Sequence, residues 1–206
     1  LAVEPYHNMG MNILMPDQRC HGKSGGRFTT FGVKESKDML AWIDYHNEHF
    51  GKLPIMLSGL SMGAATVMFM ADEDLPENVK YCIADCGFTS PKEIISKVFR
   101  DVIHIPAWPV IWAADIFARI FAGFSLEEKN TTRTLQKNKL PFFFVHGLED
   151  DFVPCDMSRV NFDACASKKQ LVTIPGAGHG LSYPVDKPTY LKALGNFFGP
   201  ELSAKE

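Results

Sequence analysis

Residues 54–65 read PIMLSGLSMGAA. An apolar run, PIML, ends in Gly59-Leu60-Ser61-Met62-Gly63, and a helix-like AATVMFMA follows at once. A strand that passes into a helix across so few residues must turn sharply, and glycines at both ends of the turn permit it. A G-x-S-x-G turn of this kind holds its serine in a strained conformation, and side chains at 59 and 63 are expected to collide with neighbouring backbone. The turn lifts Ser61 Oγ above the sheet edge at a helix N-terminus, where the helix dipole favours developing negative charge.

Strand-like apolar runs recur along the chain: MNILMP (11–16), PIMLSG (54–59), YCIADC (81–86), LPFFFVHG (140–147) and QLVTIPG (170–176). They are nearly continuous rather than alternating, which suits parallel strands covered on both faces. Helical patterns separate them at 33–49, 62–72, 156–166 and 186–198. The alternation predicts an α/β fold with a mostly parallel sheet covered by helices. Residues 88–135 break the rhythm, with two helix candidates, 90–104 and 109–122, joined by IPAWP. They read as a helical cap inserted over the strand ends. The chain then divides into an N-terminal part of the core (1–87), the cap (88–135) and a C-terminal part of the core (136–206). The opening LAVEPYHNMG reads as the end of a helix closed by Gly10, so an upstream part of the domain is expected before Leu1.

Bulk properties remove several function classes. With 206 residues, 46% hydrophobic and 22% charged, the chain has the composition of a globular domain. A net charge of −3 gives no electrostatic case for nucleic acid or an anionic membrane. The stretch IPAWPVIWAADIFARIFAGF has a membrane span's length, but Pro106, Pro109, Asp115 and Arg119 fall inside it, which favours a buried or lid helix. Five cysteines without a CxxC read as free thiols in a reducing, cytoplasmic compartment, with no metal site expected.

A serine nucleophile needs a base. Of the seven histidines (7, 21, 46, 49, 104, 146 and 179), His46 and His49 sit at a polar helix end, His7 in the leading helix and His104 in the cap. His146 ends a strand before Gly147 and reads as a brace for the loop. His179 lies in GAGHG just after the last strand, where flanking glycines leave its imidazole free to reach over the sheet edge. The base needs an orienting carboxylate, and HGLEDDFVP offers Glu149, Asp150 and Asp151. Spacing alone leaves all three open, with Asp85 a further candidate at the end of its strand. The order serine, carboxylate near 150, then histidine fits an elbow in a parallel α/β sheet.

PDQRCHGKSGG (16–26), GLSMG (59–63), HGLEDDFVP (146–154) and GAGHG (176–180) together resemble the α/β-hydrolase superfamily. The likeness runs from the fourth strand of the family's eight-stranded sheet to its last helix. It is greatest to bacterial serine esterases and the related catalytic domain of prolyl-oligopeptidase-like enzymes. Their loop reads H-G-x-x-D-x-x-V-P, so the resemblance implies Asp150 as the acid. Cys20 stands where that family usually has Gly. The resemblance implies a serine hydrolase of carboxylic esters in which Ser61 attacks, His179 moves the proton and Asp150 orients His179. Met62 N–H supplies one oxyanion donor, and the second is expected from a strand and loop upstream of Leu1. No cofactor is implied, and the partner is a small-molecule ester. Trp108, Trp112, Phe117, Phe121 and Phe124 are expected to line an apolar acyl or aromatic pocket, or else to pack the cap. A peptidase or amidase on the same machinery is the second reading, and an inactive binding protein on the same fold the third.

Overall fold

A computed structural model describes residues 3–103 and 106–199. Four strands, β1 (Ile55–Leu60), β2 (Val79–Asp85), β3 (Phe142–Gly147) and β4 (Lys169–Ile174), form one parallel sheet in sequence order. Each strand's C-terminal end therefore lies on the same edge, where β1, β2, β3 and β4 release Ser61, Asp85, Asp150 and His179.

Strand β3 shows why the runs are continuous. Alternate residues point to opposite faces of a strand. Phe142 and Phe144 enter one core cluster with Leu57, Met68 and Leu135, and Phe143 and Val145 enter another with Ile83, Leu194 and Phe197. The first layer comes from helices α2 (Val33–Phe50), α3 (Met62–Phe69), α6 (Thr131–Leu135) and α7 (Cys155–Ala164). The second comes from α1 (Glu4–Asn8), α8 (Ser182–Val185) and α9 (Lys187–Phe198). Both faces are buried, so no position on the strand is left to be polar until His146. The leading helix ends as expected, with Gly10 left-handed at φ 77°.

The apolar run at 11–16 is not a strand. Residues 11–18 join no ladder, and Ile13, Leu14 and Met15 are exposed. Hydrophobicity does not make a strand without a neighbour to exchange backbone hydrogen bonds. Among the described residues β1 is an end strand of the sheet, and residues 11–16 pair with neither it nor any other strand.

Between β2 and β3 lie α4 (Pro91–Val98) and α5 (Ala107–Phe117), each running on into a π-helical turn, 99–103 and 118–122. Helix α4 starts cleanly: Ser90 Oγ accepts the Glu93 N–H at 3.2 Å, and Pro91 opens the first turn. Helix α5 begins two residues earlier than expected. Pro109 sits in its first turn, where an absent N–H removes no intrahelical bond. His104 and the junction at 104–105 lie outside the described residues.

One face of this pair is core. Ile94, Ile111, Ala118 and Phe124 pack with Val33, Ala65, Phe69 and Val153. The other face is open, with Trp108, Trp112, Phe117 and Phe121 exposed by 76%, 68%, 54% and 58%. Of the five aromatic residues expected at a pocket or in the cap's packing, Phe124 alone is packed inside. Apolar residues occupy two separate stripes of α5 and the turn that follows it, 107/111/114/118 and 108/112/116/120, so periodicity could not say which faces inward. No helix among the described residues is long and apolar enough to cross a membrane.

Candidate active site

Ser61 links β1 directly to α3, at φ 54° and ψ −113°. A non-glycine residue at positive φ is strained and persists only where its surroundings hold it. Part of that hold is the Ser61 N–H donating to the Asp85 carbonyl at 2.8 Å. Gly59 is obligatory, since a Cβ there would stand 2.1 Å from the Gly63 carbonyl oxygen. The matching expectation for Gly63 does not hold: a Cβ there meets nothing within 4 Å. The crowding is one-sided, with the Gly63 backbone pressing on Gly59.

His179 follows β4, and its loop is drawn against the end of β3. Glu149 N–H donates to the Ala177 carbonyl at 3.0 Å, and Gly147 leaves room for that carbonyl where a Cβ would lie 2.1 Å from it. This closure brings Asp150 and His179 together. His179 Nδ1 is 2.7 Å from Asp150 Oδ2, and His179 Nε2 is 2.8 Å from Ser61 Oγ. A carboxylate only accepts, so Nδ1 carries the proton and Nε2 is left to accept from the Ser61 hydroxyl.

Asp150 is the buried member of the three adjacent carboxylates, and Glu149 and Asp151 are exposed. Its Oδ1 accepts the N–H groups of Phe152 at 3.0 Å and Val153 at 2.8 Å, and its Oδ2 accepts from both His179 and His146. Burial alone pushes such a carboxyl up, yet the hydrogen bonds from His146, His179 and Val153 hold it well below the usual carboxylate range. His146 is the expected brace, and its partner Ser158, on α7, carried no signal in the sequence.

Asp85 takes no part in orienting His179. Its carboxyl is buried and accepts a long 3.5 Å hydrogen bond from Ser182 Oγ. Burial pushes it up to about 7, against the opposing pull of nearby His146. A folded-state value above the ordinary carboxylate value of about 4 means that the native state binds more protons than the unfolded chain between those limits. The contribution is fully present below pH 4 and is lost as pH rises toward 7. Urea unfolding midpoints are therefore expected to fall across that window from this group, and Asp85→Asn to flatten the slope. An unchanged slope in the variant would refute the assignment.

The remaining sequence candidates lie elsewhere. His7 and His21 are exposed, His46 pairs with Asn47, and His49 stacks on Tyr45. Cys20 is at φ 65°, the left-handed geometry that explains why the related motif carries Gly at this position. All five cysteines are free thiols, four of them buried. Cys86, Asp150 and His179 bring possible metal-ligand atoms within 4.8 Å of one another. Two of the three already hydrogen-bond to each other, and burial pushes the Cys86 thiol up, away from the thiolate a metal would need. Met62 occupies the first position of α3, where a backbone N–H has no intrahelical partner.

The model of the prolyl oligopeptidase family matches residues 2–205. The chain belongs to that family. Prolyl oligopeptidase family likeness extends to YqkD, an uncharacterized protein of Bacillus subtilis, 28% identical over 193 residues, or 92% of this chain and 63% of that protein. The chain thus spans less than two thirds of that relative's length. Among solved structures, the Pyrococcus furiosus esterase Pf2001 aligns with a TM-score of 0.74 at 23% identity, over 95% of this chain and 73% of that one. The Pyrococcus horikoshii acylaminoacyl peptidase aligns at 0.58 and 18% identity, over 85% of this chain and 29% of that one. At these identities the structural likeness establishes the fold, which is that of the α/β-hydrolases.

Proposed function

We propose that this protein is a serine hydrolase that cleaves carboxylic esters through an acyl-enzyme. The observation that carries the reading is the unbroken hydrogen-bonded series from Ser61 Oγ through His179 to Asp150 Oδ2, at 2.8 and 2.7 Å. In this mechanism Ser61 Oγ attacks the acyl carbon while His179 Nε2 takes its proton. Asp150 keeps His179 in the accepting tautomer and stabilises the imidazolium that forms. Met62 N–H faces the developing oxyanion as one donor, aided by the N-terminus of α3. His179 then returns the proton to the leaving alkoxide, and water releases the acyl group by the same steps. Residues 88–135 are the cap: their core cluster includes Val153 beside the acid loop, and Lys97 Nζ donates to the Asp151 carbonyl.

A peptidase or amidase reading rests on the family itself and uses the same three residues. Turnover of an ester and an amide with the same acyl group, by the full-length protein, separates the two. Ester preference by several orders of magnitude supports the first reading. Comparable kcat/KM on both supports the second. Failure of a fluorophosphonate to label the protein would sink both.

A further inference from the structure

Asp150 is held by two imidazoles rather than one. His146 is wholly buried, and its Nε2 lies 3.1 Å from Asp150 Oδ2 and 2.8 Å from the Val153 carbonyl. Both partners are acceptors, so Nε2 must carry a proton. Its Nδ1 lies 2.6 Å from Ser158 Oγ. The direction toward the carboxylate is thereby fixed: His146 Nε2–H donates to Asp150 Oδ2, while Ser158 Oγ holds the far side of the ring at Nδ1. The second proton on that same oxygen comes from His179 Nδ1.

We propose that His146, backed by Ser158, is a positioning residue that sets both the placement of Asp150 and the basicity of His179. The proposal rests on the Ser61, His179, Asp150 reading above. Placement follows from geometry. The two backbone N–H groups fix Oδ1, His146 fixes Oδ2, and the bond from His146 to the Val153 carbonyl ties the 150–153 loop to the end of β3. Basicity follows from sharing. A second donor on Oδ2 draws electron density from the oxygen that stabilises the His179 imidazolium, so His179 faces a weaker partner than an unshared carboxylate. Removing the His146 donor leaves that oxygen wholly to His179. His179 then holds its proton to higher pH, and the acid limb of the rate profile moves up.

Other groups around the site bear on that profile. His179 faces Asp150, Ser61, the thiol of Cys86 and, in a T-shaped contact, the Phe152 ring, with Asp85 nearby. Asp150 has Cys86 and Cys155 as its further ionisable neighbours. Asp85 titrates in the same range as a histidine, so the profiles are compared in the Asp85→Asn background as well.

The experiment measures kcat/KM against pH on a p-nitrophenyl ester, using full-length wild type, His146→Leu, His146→Gln and Ser158→Ala. The Gln amide can place an N–H where Nε2–H stands, and Leu cannot. His146→Leu is expected to lower kcat by about 10- to 100-fold, as loss of an outer-shell partner commonly does, and to shift the acid limb to higher pH. His146→Gln should keep the wild-type limb and most of the rate. Ser158→Ala should shift the limb in the same direction by less, and it tests the idea even if His146→Leu does not fold. A folded variant that loses rate without moving the limb, or a Gln variant that behaves like Leu, overturns the proposal while fluorophosphonate labelling of the wild type keeps the underlying reading standing. An unlabelled wild type brings both down.

Discussion

Replacing Ser61 with alanine in the full-length protein is expected to abolish ester hydrolysis, with kcat falling by on the order of 10⁴- to 10⁶-fold. The reason is geometric. Among the described residues Ser61 Oγ is the hydroxyl held within hydrogen-bond reach of His179 Nε2, at 2.8 Å. Fluorophosphonate labelling should vanish with the activity. A variant that retains activity within tenfold of wild type would end the nucleophile assignment. The backbone adds an independent check. Ser61 sits at φ 54°, so Ser61→Gly removes the proposed nucleophile and relieves the strain together. It should be inactive yet as stable as wild type or more so, by up to about 1–3 kcal/mol on the scale of such outliers. Urea unfolding of both variants measures this, and a destabilised glycine variant would show that the left-handed geometry stores no strain.

Asp150→Asn carries the second large effect, a loss of about 10⁴-fold in kcat. An asparagine here cannot choose its orientation freely. Two backbone N–H groups, from Phe152 and Val153, claim an acceptor on one side, so the amide oxygen must face them. The amide nitrogen then faces His146 and His179, both of which present N–H in the wild type. His179 relieves the clash by moving its proton to Nε2, the nitrogen that must accept from Ser61. On the proposed mechanism the base is thus lost while the fold stays. Glu149→Gln and Asp151→Asn, on exposed neighbours, should stay within about twofold, as surface substitutions usually do. Equal losses at all three positions would mean that the loop, not the carboxylate of Asp150, is what matters.

The two opposite fates of neighbouring carboxylates show where sequence reading stops. The GLSMG turn, the apolar strand before it and the order of serine, acid and histidine are local facts, and the chain displays them. The choice of Asp150 over Glu149 and Asp151 is a matter of which one turns inward beneath two backbone N–H groups, and spacing holds no trace of it. Resemblance to a family motif picked it instead. Strand identity behaves in the same way. FFFV at 142–145 reads as buried on both faces and is, because helices cover both sides of the sheet, and it is a strand because β2 and β4 pair with it. MNILMP reads alike and forms no ladder, because pairing depends on what lies alongside. The helices at 91–122 were visible, but α5 is apolar on both of its faces, so the inward stripe and the outward one could be told apart only by their packing. The role of His146 was half legible: its place at a strand end marked it as a brace, and its two acceptors emerged only with the fold.

The unequal exposure of the thiols has a practical corollary. Cys20 alone is open to solvent, and Cys82, Cys86, Cys155 and Cys165 are buried. A chromogenic disulfide reagent should therefore titrate one equivalent at once under native conditions. The other four should react only as the layers around the sheet come apart. Those buried thiols are spread over β2 and its end, the start of α7 and the loop before β4. Without any substitution, the chain carries a single attachment point for a dye or spin label, and four internal timers that record which part of the core opens first.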